Sequence, residues 1–173
     1  KEAPVLQDLQ ILIDHLRLDL RRQDYAQAHR VPFLNAASTI YEGLESLLDD
    51  QTAPDRRQAA VTRIKKYAGL EAGYRPTTLI LQERVEQQIA AGNMIFPSRQ
   101  EMEVELPHNT SIISGIADLC KKYGLTGWEA PYEQLKKQVA DYDQWTRDQV
   151  LSKARADYRL PPEEYALAFE NYG

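Results

Sequence analysis

Hydrophobic positions recur every three or four residues along most of this chain, and polar residues fill the intervals. The longest such run lies between Glu129 and Arg159. There Tyr132, Leu135, Val139, Tyr142, Trp145, Val150, Ala154 and Tyr158 fall on one stripe, while Lys136, Asp141, Asp148 and Arg155 fall elsewhere. A 3.6-residue period places that stripe along one side of an α-helix. Thr126 followed three residues later by Glu129 reads as a capping box, and Pro161-Pro162 removes the donors a helix needs to continue. The pattern predicts one helix near residues 127–159, roughly 45 Å long, as a spine for the others.

The same periodicity marks the shorter elements. Val5, Leu9, Leu12, Leu16 and Leu20 predict a first helix over Pro4 to Leu20, with Leu6, Ile13 and Leu18 widening its buried face. The polar stretch from Arg21 to Pro32 reads as a turn or frayed end. Phe33 to Leu48 predicts a second helix, in which Gly43 costs about 1 kcal/mol against alanine and so marks a close helix crossing. Thr52-Ala-Pro-Asp opens a third helix that closes at Lys65-Lys66-Tyr67-Ala-Gly69-Leu70. Pro76 starts a fourth, with Leu81, Val85 and Ile89 inward and Gly92 at its end. Met94-Ile95-Phe96 is an apolar loop. Ser98 with Glu101 caps a short helix that Pro107 ends, and Asn109 caps the next, whose buried side is Ile112, Ile116, Leu119, Cys120 and Tyr123. The sequences KKYAGL and KKYGL share helix-stop chemistry without forming a repeat, since what precedes them differs. No stretch alternates with a period of two. These readings define an all-α bundle of about 7–8 helices, in a single domain over residues 1–173.

Composition narrows the function classes. The chain carries 21 basic and 26 acidic residues, which excludes the concentrated positive face of a nucleic-acid reader. No apolar run is long enough to span a membrane. Cys120 is the single cysteine, so no internal disulfide forms, and its place on an apolar face reads as a buried, inert thiol.

Candidate chemistry is sparse. His15, His29 and His108 are scattered, none is followed by Glu, and His15 with Asp19 offers two ligands, too few for a metal site. Glu42 with Glu45, Glu83 with Glu86 and Glu163 with Glu164 are neighbouring carboxylates on exposed polar positions, without the desolvation that acid–base catalysis requires. Lys136-Lys137 and Arg21-Arg22 read as solvated charge. No Gly-x-Ser-x-Gly elbow and no glycine-rich phosphate loop occurs. No catalytic, cofactor-binding or metal-binding residue is assigned. Ten of the fifteen aromatics are tyrosine, including Tyr25, Tyr41, Tyr67, Tyr74, Tyr123, Tyr132, Tyr142 and Tyr158, a residue suited to core margins and also to binding clefts. The final segment EEYALAFENY places Tyr165, Phe169 and Tyr172 on one side, an aromatic face for self-association or for a further part of the polypeptide.

Five stretches, DLQILIDHLRLDL, PFLNAASTIYEGLESLLDD, RIKKYAGLEAGYRP, KKYGLTGWEAPYEQLKKQVADYDQW and RADYRLPPEEYALAFENYG, together resemble the amino-terminal helical part of the bacterial domain-of-unknown-function family 885. The resemblance implies a largely helical fold within a zincin-like metallopeptidase family whose members include exported proteins and lipoproteins. It further implies that zinc is held by a His-Glu…Pro-Gly-His signature downstream of the matched part. This sequence has no His-Glu dipeptide, so no ligand position carries over. The expectation is a non-catalytic amino-terminal segment of a longer chain that helps wall a substrate cleft. A free-standing helical interaction module is the alternative. An autonomous enzyme using paired carboxylates has no motif behind it.

Overall fold

A computed structural model describes residues 3–170 of the chain. The helices are α1 (Ala3–His29), α2 (Ala36–Glu45), α3 (Pro54–Arg57), α4 (Ala59–Tyr67), α5 (Thr77–Ala91), α6 (Arg99–Glu105), α7 (Asn109–Lys122), α8 (Glu129–Gln149) and α9 (Pro162–Phe169). Among the described residues there is no strand. Two isolated parallel bridges, Arg30 with Ile95 and Ser98 with Arg155, tie loops together. The all-α expectation holds.

The main core lies where α2, α4, α7 and α8 meet. Ile40, Leu44, Ile64, Ile116, Cys120 and Leu135 are fully enclosed there. A second, smaller core gathers Val31, Val85, Met102, Leu106 and Val150, with Phe33, Met94, Phe96 and Trp145 packed on it. α8 runs through both, contributing Leu135 and Val139 to the first and Val150, just past its end, to the second. Burial of this kind stabilises by about 1.5–3 kcal/mol for each large apolar side chain.

The seam between the cores is polar. Along α7 and its approach, Asn109 sits between Leu106 of one core and Ile113 of the other. On α8, Tyr142 and Thr146 sit between Val139 and Val150. Asn109 and Thr146 are both buried, Asn109 Nδ2 donates to Asp143 Oδ1 at 2.9 Å, and the Tyr142 hydroxyl donates to the Leu34 carbonyl at 2.9 Å. Asn109 was expected to cap α7 and does not. His108 occupies the cap, and the Asn109 side chain turns inward, where the half-buried Asp143 carboxylate accepts from its Nδ2.

The spine differs from its expected extent of residues 127–159. α8 stops at Gln149 and is about 32 Å long. A 3₁₀ turn, Leu151–Lys153, follows. The chain then runs extended, so that Arg155 N can donate to the Pro97 carbonyl at 3.1 Å and the Arg155 carbonyl can accept from Arg99 N at 2.9 Å. Those loop bonds, with Val150 seated in the second core, outweigh the local helical preference. At the other end Trp128 occupies the cap with no side-chain bond, so the Thr126 capping box does not form.

Two further boundaries move. α1 does not end near Leu20. It continues to His29, helped by the stacking of Tyr25 on His29 one turn later, with ring centroids 4.4 Å apart. α2 begins at Ala36, where Asn35 accepts from Ser38 N. The Val31–Leu34 stretch before it has no regular structure, with Pro32 disfavouring helix at Val31, and Phe33 packs on the second core. Thr52 makes no cap, and the third segment is split into α3 and α4.

The two similar helix stops are physically the same device. Leu70 N donates to the Lys65 carbonyl at 2.8 Å and Leu125 N to the Cys120 carbonyl at 3.0 Å. Gly69 and Gly124 take the left-handed conformation each closure requires, with φ of 71° and 63°. The crossing expected at Gly43 is present, for a Cβ there would meet the Tyr67 hydroxyl, and the Gly43 carbonyl accepts from Arg63 at 2.7 Å.

Candidate functional surface

α1 carries the main departure from what its periodicity implies. Val5, Leu6, Leu9, Leu12, Leu16 and Leu20 are all half or more exposed, and Leu18 is the buried position. At 3.6 residues per turn, Leu18 lies roughly half a turn around the helix from Leu9, Leu16 and Leu20. Ile11 projects on the same side as Leu18 and is 61% exposed as well, so up to Arg17 the helix is exposed on nearly every side, its leucine stripe included, and cover begins at Leu18. The apolar strip from Val5 to Leu20 is about 24 Å long, a contiguous exposed patch rather than scattered single side chains.

α9 is held to α1 by arginines. Arg22 donates through Nη2 to the Leu167 carbonyl at 2.9 Å and to the Ala168 carbonyl at 3.2 Å, which places a cation at the negative end of the α9 dipole. Arg30 pairs with Glu164 at 2.8 Å, and Arg21 pairs with Glu170. Arg21-Arg22 is thus a clamp rather than free surface charge, a role that the distant partners in sequence conceal. Tyr165 and Phe169 are about half exposed, with ring centroids 4.6 Å apart. Tyr172 lies outside the described residues.

The residues with candidate chemistry remain dispersed. His15 Nε2 approaches Asp19 Oδ2 at 3.3 Å on an exposed face, and His29 Nδ1 donates to the Tyr25 carbonyl at 2.9 Å. The carboxylate pairs point to separate partners. Glu83 hydrogen-bonds Arg75, which holds its carboxyl below the ordinary value, while Glu86 accepts from Gln82 at 2.9 Å. Glu164 engages Arg30, and Glu45 accepts from Tyr41 at 3.4 Å. Asp50 is likewise held low, first by the Tyr123 hydroxyl at 2.8 Å and then by Lys122. Among the described residues no group of three or more His, Cys, Asp or Glu side chains is placed to hold a metal ion. Among them, too, no helix is long and apolar enough to cross a membrane.

The clefts are shallow and mixed in character. One, of about 310 Å³ between α7 and the start of α8, is lined by Asp118, Lys121, Trp128, Glu129 and Tyr132. Another, of about 550 Å³, lies between the end of α1 and α5, with Gln23, Gln27, Phe33, Arg84 and Gln88 on its walls. The tyrosines divide three ways, and Tyr158, expected on the inward stripe of the spine, is exposed because the helix ends before it. Tyr132 and Tyr142 are buried, Tyr25, Tyr41, Tyr67 and Tyr123 sit at margins, and Tyr74 and Tyr158 are exposed. Burial pushes the Tyr142 phenol up to about 12, only partly offset by the neighbouring Thr146 hydroxyl.

Cys120 is fully enclosed in the main core, and burial, with a smaller contribution from Glu129, pushes its thiol up to about 11. A shift of that size above the usual 8.5 leaves thiolate on the order of a hundredfold scarcer at neutral pH. In native protein, a disulfide reagent is expected to leave Cys120 unmodified over hours, and denaturation in urea is expected to make it react at once. Rapid stoichiometric modification of the folded chain would contradict the burial.

The described residues form an all-α helical bundle with two filled cores and an exposed apolar stripe on α1. No protein-family model, curated protein or solved structure matches the chain.

Proposed function

We propose that this chain is a non-catalytic helical scaffold of a zincin-like metallopeptidase, and that the outward stripe of α1 packs against the part of that peptidase which holds the zinc. The observation that carries this reading is the exposure of Val5, Leu9, Leu12, Leu16 and Leu20 together on one side of α1. Five half-exposed aliphatic side chains in register gain stability only by being covered. The five family-like stretches supply the class of the partner, and the dispersed His and carboxylate side chains support a scaffolding role for the segment itself.

A free-standing interaction module is the second reading. It draws support from the two cores, which are filled by the chain's own side chains. The discriminating experiment compares two proteins. The 173-residue chain, loaded with zinc, is expected to hydrolyse no peptide in a mixed-sequence library. The encoded polypeptide that continues past Gly173 into a His-Glu…His segment is expected to do so in a chelator-sensitive way, and Leu12→Lys in that longer protein is expected to lower its thermal stability. Hydrolysis by the 173-residue chain would overturn the scaffold reading, and a stop codon directly after Gly173 would favour the module.

A further inference from the structure

The seam between the two cores holds an amide that is only half satisfied. The Asn109 side chain is buried, its Nδ2 donates to Asp143 Oδ1 at 2.9 Å, and its Oδ1 has no hydrogen-bond partner in the protein. Turning the amide over would set oxygen against oxygen, so the orientation is fixed by Asp143. An ionised carboxylate has no proton to offer Asn109 Oδ1, whereas a protonated one has. We infer that Asp143 and Asn109 form a proton-dependent acid–amide clasp between α8 and α7. In it, the protonated carboxyl donates to Asn109 Oδ1 while accepting from Asn109 Nδ2, and the ionised carboxylate keeps the second bond alone.

The surroundings favour the proton. Burial raises the Asp143 carboxyl above its ordinary value, and this outweighs the opposing pulls of the Asn109 N–H and the Arg147 guanidinium one turn along α8. Among the described residues Arg147 is the charged group that acts on the carboxyl. From α7 the facing group is the neutral amide of Asn109. Glu105, at the end of α6, accepts from Asn35 at 3.3 Å, His108 is exposed, and the neighbouring Tyr142 gives its hydroxyl to the Leu34 carbonyl.

The sign follows from linkage. A carboxyl whose folded-state pKa lies above its unfolded value near 3.9 stabilises the fold fully below that value. The contribution is lost as pH rises through the raised folded-state pKa. The clasp therefore ties α8 to the start of α7 in acid and slackens toward neutrality. This device stands apart from the scaffold role proposed above and does not depend on it.

Carboxyl-carbon NMR of the intact chain, titrated with pH alongside the Asn109 side-chain amide signals, tests the clasp directly. Asp143 is expected to titrate above 3.9, with the Asn109 signals moving at the same midpoint. Asp143→Asn supplies an amide able to make both bonds at every pH. Its urea midpoint is expected to lose the wild-type decline just above the ordinary carboxylate range. An Asp143 midpoint at or below 3.9, Asn109 signals indifferent to it, or an unchanged pH slope in Asp143→Asn would each overturn the clasp. If Asp143→Asn does not fold, the wild-type titration decides.

Discussion

Replacing Leu44 by alanine is expected to destabilise the chain by about 2–5 kcal/mol, a large share of the 5–15 kcal/mol typical of a domain. Leu44 is fully buried in the core formed by α2, α4, α7 and α8, so the removed atoms leave a cavity that four packed helices can close only in part. The informative control is Leu16→Ala on α1. It removes the same atoms from the same kind of 3.6-residue stripe, but from a side chain 52% exposed, and is expected to stay within about 0.5 kcal/mol. Urea unfolding of both variants, with unchanged m-values, checks the pair. Equal losses would mean that the α1 stripe is covered within the monomer and that the surface described here is misplaced.

The second large effect is expected at Gly69. With φ at 71°, any side chain there adopts the left-handed conformation, at a cost of about 1–2 kcal/mol. A Cβ would also lie 2.5 Å from Pro76 Cδ and 2.7 Å from the Pro76 backbone nitrogen. No rotamer change moves a backbone atom aside, so the loop between α4 and α5 must shift as well. Gly69→Ala is therefore expected to cost more than about 2 kcal/mol, at the upper end of ordinary substitutions. Gly124→Ala isolates the conformational part, since φ is 63° but a Cβ there meets nothing within 4 Å. Thermal melts of the two variants separate the contributions. Equal shifts would show that the close approach of Pro76 carries no cost.

These predictions divide along what local sequence can and cannot specify. Tyr132, Leu135, Val139 and Tyr142 face the interior as their spacing requires, and the Gly69 and Gly124 stops follow from glycine chemistry in their immediate neighbourhood. The Ser98 cap is equally local, its side chain accepting from Glu101 N at 3.3 Å. The candidate surface was legible in part. The stripe on α1 was visible, but its exposure was not, because periodicity gives the angle between apolar residues and not whether the rest of the chain reaches them. Arg21 and Arg22 looked like solvated charge for the same reason, since their α9 partners are more than 140 residues away. The Asn109–Asp143 pair carried no readable signal. Asn before a helical run is a common cap, and nothing within four residues announces a half-buried carboxylate 34 positions on.

What the sequence determined by itself is the helical class, most of the inward positions of α8 (on α7 only Ile116 and Cys120 of the five expected are buried, with Ile113 and Ala117 taking the other inward places), and the stops that chain chemistry enforces, because each depends on contacts within a turn or two. Tertiary structure alone decided where α8 ends, how much of α1 is covered, and that a polar seam divides the interior into two cores. Those outcomes follow from competition between distant partners. Val150 gains more from the second core than from another helical turn, and Asn109 gains more from Asp143 than from a cap in water.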